Sequence, residues 1–148
     1  MGTTVKKLIA LFLLMTLFAT CACSPARSRE PEKITVIRKS SIYRGFEVKG
    51  GYVMISCNFM LKNNTSETQR FKIKGLFKDD VKGGLLKEET IYANHAGMGA
   101  HGPLEYEFML SPNFERSFEV TFIGESGGGE VKHDKLLPKI EIEYIAEE

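Results

Sequence analysis

Between Tyr52 and Leu61 the chain alternates. Val53, Ile55, Cys57, Phe59 and Leu61 are apolar at every second position, with Ser56 and Asn58 between them. A helix repeats its faces about every 3.6 residues and cannot gather such a set on one side, whereas a strand gathers it without effort. This segment is therefore a half-buried strand. It needs neighbours along its edges and a second layer over its apolar face, which restricts the chain to sheet architectures.

The same period recurs along the chain. From Arg70 to Lys78, Phe71, Ile73 and Phe77 face inward while Lys72, Lys74 and Lys78 face water. Leu104 to Leu110 directs Tyr106 and Phe108 inward, and Ser117 to Ile123 directs Phe118, Val120 and Phe122. In the last segment, Lys139 to Ile145, the residues Ile140, Ile142 and Tyr144 alternate with Glu141 and Glu143. Leu85 to Tyr92 is a weaker strand, broken by Lys87-Glu88-Glu89; Ile34 to Ile37 and Ile42 to Val48 supply one or two more. Turn chemistry separates them: Asn63-Asn64-Thr65-Ser66, Asp79-Asp80 and Gly83-Gly84. No long amphipathic helical stretch follows the N-terminal segment, which excludes a parallel sheet with crossover helices. The expectation is one all-β domain over residues 34–148, an antiparallel sandwich of seven or eight strands. Its 43% hydrophobic and 26% charged residues are those of a chain that folds.

The N-terminus differs in kind. Lys6-Lys7 precedes an apolar run from Leu8 to Ala19 (LIALFLLMTLFA), whose helix would span about 18 Å against a hydrocarbon core of about 30 Å. That length suits an export signal helix better than a membrane span. The residues that follow, Thr20-Cys21-Ala22-Cys23, resemble the bacterial lipobox, in which small residues precede a cysteine that receives lipid. Ala22 before Cys23 fits that requirement better than Thr20 before Cys21. The resemblance implies a signal peptide over 1–22 and lipid on Cys23, with Cys21 as the alternative acceptor; ordinary secretion or an uncleaved anchor are the other outcomes. Residues 23–33, with Pro25, Pro31 and mixed charges, read as a solvated leash. Acyl chains on the cysteine would hold the domain at the cell membrane, on its extracytoplasmic side, without a spanning helix.

Without Lys6 and Lys7, 18 basic residues face 19 acidic ones, too even a balance for gripping a phosphate backbone, so nucleic acid is not an expected partner. Only Cys57 remains in the folded part, read as a small buried hydrophobe and not half of a disulfide.

The strand YVMISCNFMLKNNTS and its successor RFKIKGLFKDD resemble immunoglobulin-like domains of Gram-positive surface lipoproteins. There a long apolar strand ends in an Asn-rich turn and the next ends in an acidic one. The match covers Val53 to Asp80. It implies an immunoglobulin-like sandwich and a surface location, and brings no catalytic residues with it.

Four features carry possible chemistry. Gly124 to Gly128 (GESGG) resembles the nucleophile segment of trypsin-like serine proteases, with Glu125 where that family has Asp. Neither His95 nor His101 sits in the context that family requires, so the segment reads as a loop. Asn94 to Pro103 (NHAGMGAHGP) carries His95 and His101, and His133 lies in another loop; neutral imidazoles bind zinc or copper, although a spacing of six matches no established ligand pattern. The segment reads first as a mobile connection. Asp79, Asp80, Glu88 and Glu89 lack the ligand alternation of a calcium loop and read as solvated turns. Tyr52, Met54 and Met60 occupy the other face of the long strand, where they are core if something covers them and a partner surface if not; core is the favoured reading. Together these features lead to a non-enzymatic, membrane-tethered module without a cofactor, binding a protein, peptide or envelope polymer. A metal-binding protein using His95 and His101 is the alternative.

Overall fold

In the computed structural model, residues 32–95, 106–130 and 137–146 are described. Residues 1–22, most of the 23–33 leash, Cys21, Cys23, His101 and His133 lie outside them. Eight strands run in the order β1 (Ile34–Val36), β2 (Ile42–Lys49), β3 (Tyr52–Asn63), β4 (Gln69–Leu76), β5 (Thr90–His95), β6 (Phe108–Leu110), β7 (Glu115–Glu125) and β8 (Lys139–Tyr144). A single helical turn, α1 (Lys78–Lys82), stands between β4 and β5. Every strand pairing is antiparallel. The domain is all-β, as the alternation requires.

One sheet is centred on β3, with β1 and β2 sharing one of its edges and β7 along the other. The second is centred on β4, with β8 along one edge and β5 and β6 along the other. β5 belongs to both. Its Thr90–Tyr92 half pairs with Leu76 to Lys74 of β4, and its Ala93–His95 half pairs with Phe122 to Val120 of β7. On the opposite side the sheets are linked by side chains: Ile34 N–H donates to Tyr144 Oη at 3.0 Å, and Arg38 donates to the Pro138 carbonyl at 3.3 Å. Eight strands thus curl into a nearly closed barrel.

The interior is what the alternation predicts. Val53, Ile55, Cys57, Phe59 and Leu61 of β3 are buried, opposite Phe118, Val120 and Phe122 of β7. Phe71 and Ile73 of β4 meet them from the other layer. Phe77 and Phe59 both meet Phe122 edge-on, while Phe71, Phe108 and Phe118 form a second aromatic group. Each such ring, fully buried, contributes about 1.5–3 kcal/mol, and edge contacts add to that.

Three expectations are corrected. The strand expected over Leu85 to Tyr92 is shifted: Leu85 and Leu86 are buried in a loop, and β5 starts only at Thr90 and runs on to His95. β4 ends at Leu76, and Phe77, still buried, leads into α1 in place of the acidic turn. Gly124 and Glu125 belong to β7, not to a loop; the loop begins after Ser126, which bridges to Leu86.

Candidate interaction surface

The outer faces of the two sheets differ because their cross-strand neighbours differ. On the β4 sheet, Arg70, Lys72 and Lys74 alternate outward beside Glu143 and Glu141 of β8. Arg70 meets Glu107 at 2.9 Å and Lys74 meets Glu141 at 3.4 Å. Tyr92 Oη donates to Glu143 at 2.6 Å, and this bond to a carboxylate raises the phenol's pKa. Exposed pairs of this kind contribute about 0–1 kcal/mol each. This face is solvated.

The β3 sheet turns a different mixture outward. β3 contributes Tyr52, Met54, Ser56, Asn58 and Met60; β7 sets Ile123 against Met54, Thr121 against Ser56 and Glu119 against Asn58. On the β2 side, Glu47 lies against Met54 and the exposed Ile42 against Asn58. Tyr52, 49% exposed, Met54 and Ile123 form an apolar group at the hairpin end, fringed by Glu47, Lys49 and Glu125. The reading of Tyr52 as core is thereby corrected, and Met54 and Met60 are only half-buried. The closed interior covers each sheet on one face only, and the alternation of β3 assigns that face to Val53, Ile55 and Phe59.

The hairpin that carries this group is sharply defined. Lys49 pairs with Tyr52 across Gly50 and Gly51, whose φ values of 60° and 82° belong to primed hairpin turns that glycine alone enters freely. At the other end of β3 the Asn-rich turn fastens the start of the domain. Asn64 Nδ2 donates to the Glu32 carbonyl at 3.0 Å and to Thr35 Oγ1 at 2.7 Å. Glu32, at the start of the domain, and the Tyr52 group therefore lie at opposite ends of one strand.

The sequence-predicted chemistry is dispersed. His95 is the last residue of β5, not part of a loop; its ring lies 4.4 Å from that of Phe108, and Nε2 is 3.1 Å from the Glu107 carbonyl. A metal at His95 would have to use Nδ1 or displace that contact. Among the described residues no three His, Cys, Asp or Glu side chains gather as a metal site. Val120, which faces His95, is six residues from Ser126 along an extended strand, about 20 Å, so His95 cannot serve Ser126 as a base. Ser126 Oγ instead accepts from Gly128 N–H at 3.2 Å. Cys57 is fully buried, and burial pushes its thiol up to about 12. Among the described residues no helix is long and apolar enough to cross a membrane.

Comparison with protein-family models, with curated proteins and with solved structures returns no match for this chain.

Proposed function

We propose that the chain is an extracytoplasmic lipoprotein: an immunoglobulin-like sandwich held at the cell membrane by lipid on Cys23, acting as a binding module for a protein, peptide or envelope polymer. The observation that carries this reading is the order of the sequence. A basic start, a short apolar run, Ala22-Cys23 and a polar leash stand immediately before an autonomous all-β unit. The position of the Tyr52–Met54–Ile123 group supports it, because a tether entering beside Glu32 leaves the hairpin end of β3 farthest from its point of attachment. The residues there suit recognition better than chemistry: an aromatic ring, two flexible or branched apolar side chains and a fringe of both charges.

The test is metabolic labelling with a fatty-acid analogue in a lipoprotein-processing bacterium, followed by membrane fractionation. Wild type and Cys21→Ala take up label and sediment with membranes, whereas Cys23→Ala does neither. Unlabelled protein released to the medium, for wild type as for both variants, removes the tether and the function built on it.

A further inference from the structure

We propose that the domain forms a two-fold dimer by pairing β2 edge to edge with β2 of a second copy. Along β3, the even-numbered residues direct their backbone groups toward β2: Met60 donates to Ser41 Oγ at 3.0 Å, and its carbonyl accepts from Ile37 at 2.8 Å. By the same alternation Lys49, Glu47 and Gly45, opposite Tyr52, Met54 and Ser56, spend their backbone groups on β3. Those of Val48, Phe46 and Tyr43 point the other way. Among the described residues no strand receives them.

The same residues turn their side chains to the core face, yet Phe46 is 38% exposed and Val48 50% exposed. An apolar inner row along an unpaired edge is what a continuing sheet would cover.

The register follows from the bulge. β2 is irregular between Tyr43 and Gly45, so that Tyr43 to Phe46 spans only Cys57 to Ile55 on β3. The extra residue reverses the inside–outside parity of the strand about its middle. Setting Phe46 opposite Phe46 of the second copy then places Tyr43 opposite Val48, core face to core face, with free backbone groups meeting on both. It also places Arg44 opposite Glu47 on the outer face, twice by symmetry. This register brings opposite charges together, matches faces, and engages the free backbone groups of Tyr43, Phe46 and Val48 alike; Val48 opposite Val48 would also match faces but leaves Tyr43 unpaired. Lysines and bulges ordinarily blunt sheet edges. Here Lys49 falls at the end of the ladder opposite Ile42, and the bulge is the element that makes the strand self-complementary. Among the described residues β1, β6 and β8 also pair on one side only, but β1 and β6 are three residues long, and β8 is a poorer candidate because Tyr144 and Pro138 are tied to β1 and Arg38.

Sedimentation equilibrium of the chain from Glu32 onward, which is a compact unit by itself, tests the pairing. A short edge-to-edge contact falls at the small end of protein interfaces, so a reversible dimer is expected at up to about 1 mM protein. Arg44→Glu and Glu47→Arg each weaken it about tenfold or more, and the combined variant regains it, since repulsion becomes attraction in that register alone. Under mild oxidation Phe46→Cys forms a disulfide-linked dimer and Glu47→Cys does not. A chain that stays monomeric at that concentration overturns the proposal, as does association that ignores the charge reversals.

Discussion

Asn63 is fully buried at the end of β3, and its carboxamide joins three parts of the chain. Nδ2 lies 2.7 Å from the Glu67 carbonyl and 3.0 Å from those of Leu110 and Ser111; Oδ1 accepts from Thr65 N–H at 2.9 Å and Thr65 Oγ1 at 2.8 Å. Two N–H hydrogens cannot fully serve three carbonyls, so the side chain makes about four bonds, each with a net contribution of about 0.5–1.5 kcal/mol. Asn63→Ala removes all of them. Water can reach the Glu67 and Ser111 sides, but the Leu110 bond is buried and its carbonyl is left without this donor. The expected loss is about 2–4 kcal/mol. Asn63→Asp keeps the shape and reverses the electrostatics. An ionised carboxylate among three carbonyl oxygens is repelled, so its folded pKa rises above the ordinary value of about 3.9. The unfolded chain then ionises first, and stability falls as pH rises from about 4 through the raised folded pKa. Urea unfolding followed by tyrosine fluorescence and far-ultraviolet circular dichroism measures both variants across pH. A loss below about 1 kcal/mol for the alanine variant would refute the role assigned to this residue. So would an aspartate variant whose stability is the same at pH 4 and pH 7.

Two further outcomes rest on the core. Cys57, with its thiol raised to about 12 by burial, stays unmodified by thiol reagents at neutral pH until denaturant opens the domain; native labelling would contradict its placement. Because the unfolded thiol ionises near pH 8.5, the stability it confers is intact below about that pH and declines as pH rises toward the folded value. Gly75→Ala places a methyl 2.5 Å from Phe77 Cε2 and 2.7 Å from Phe122 Cε1, inside an aromatic pair already in edge contact. Overpacking of this kind costs about 1–3 kcal/mol, read as a lower urea midpoint at unchanged slope.

Strands whose two faces differ strongly could be read directly from the residues. Val53 to Leu61 and Phe118 to Phe122 are buried where their alternation says, because burial on one face is itself the cause of the pattern. β5 was hidden. Leu85 and Leu86 look like the start of a strand and are buried, but their place in the core is reached through a loop. Asn94 and His95 look like the start of a loop, and become strand only because β7 lies alongside them. Asn63 was legible as a turn former; its bond to Leu110, 47 residues away, was not. Residue type reveals local backbone preference, whereas a partner distant in sequence depends on the closed fold. Tyr52 and Phe46 illustrate the same limit. Their exposure depends on which face is covered and which strand is last in its sheet.

If the lipid tether and the β2 pairing proposed above both hold, they constrain one another. Glu32 lies at the Asn63 end of β3 and the Gly50–Gly51 turn at the other, about 36 Å away at strand spacing. Antiparallel pairing of β2 sets the leash end of one copy beside the hairpin of the other. If both copies stand upright on one membrane, one is inverted, and its leash must return the full length of the strand. Ser24 to Lys33 reaches at most about 36 Å when fully extended, so that arrangement leaves no slack. Laying the strands parallel to the bilayer would place both leashes at one height and remove the strain. Pairing between facing membranes would avoid it as well: each copy would stay upright on its own surface, with its hairpin reaching toward the other's base. On the proposed tether, a dimer built through β2 would therefore bridge two surfaces, or lie flat on one, more readily than stand upright on one.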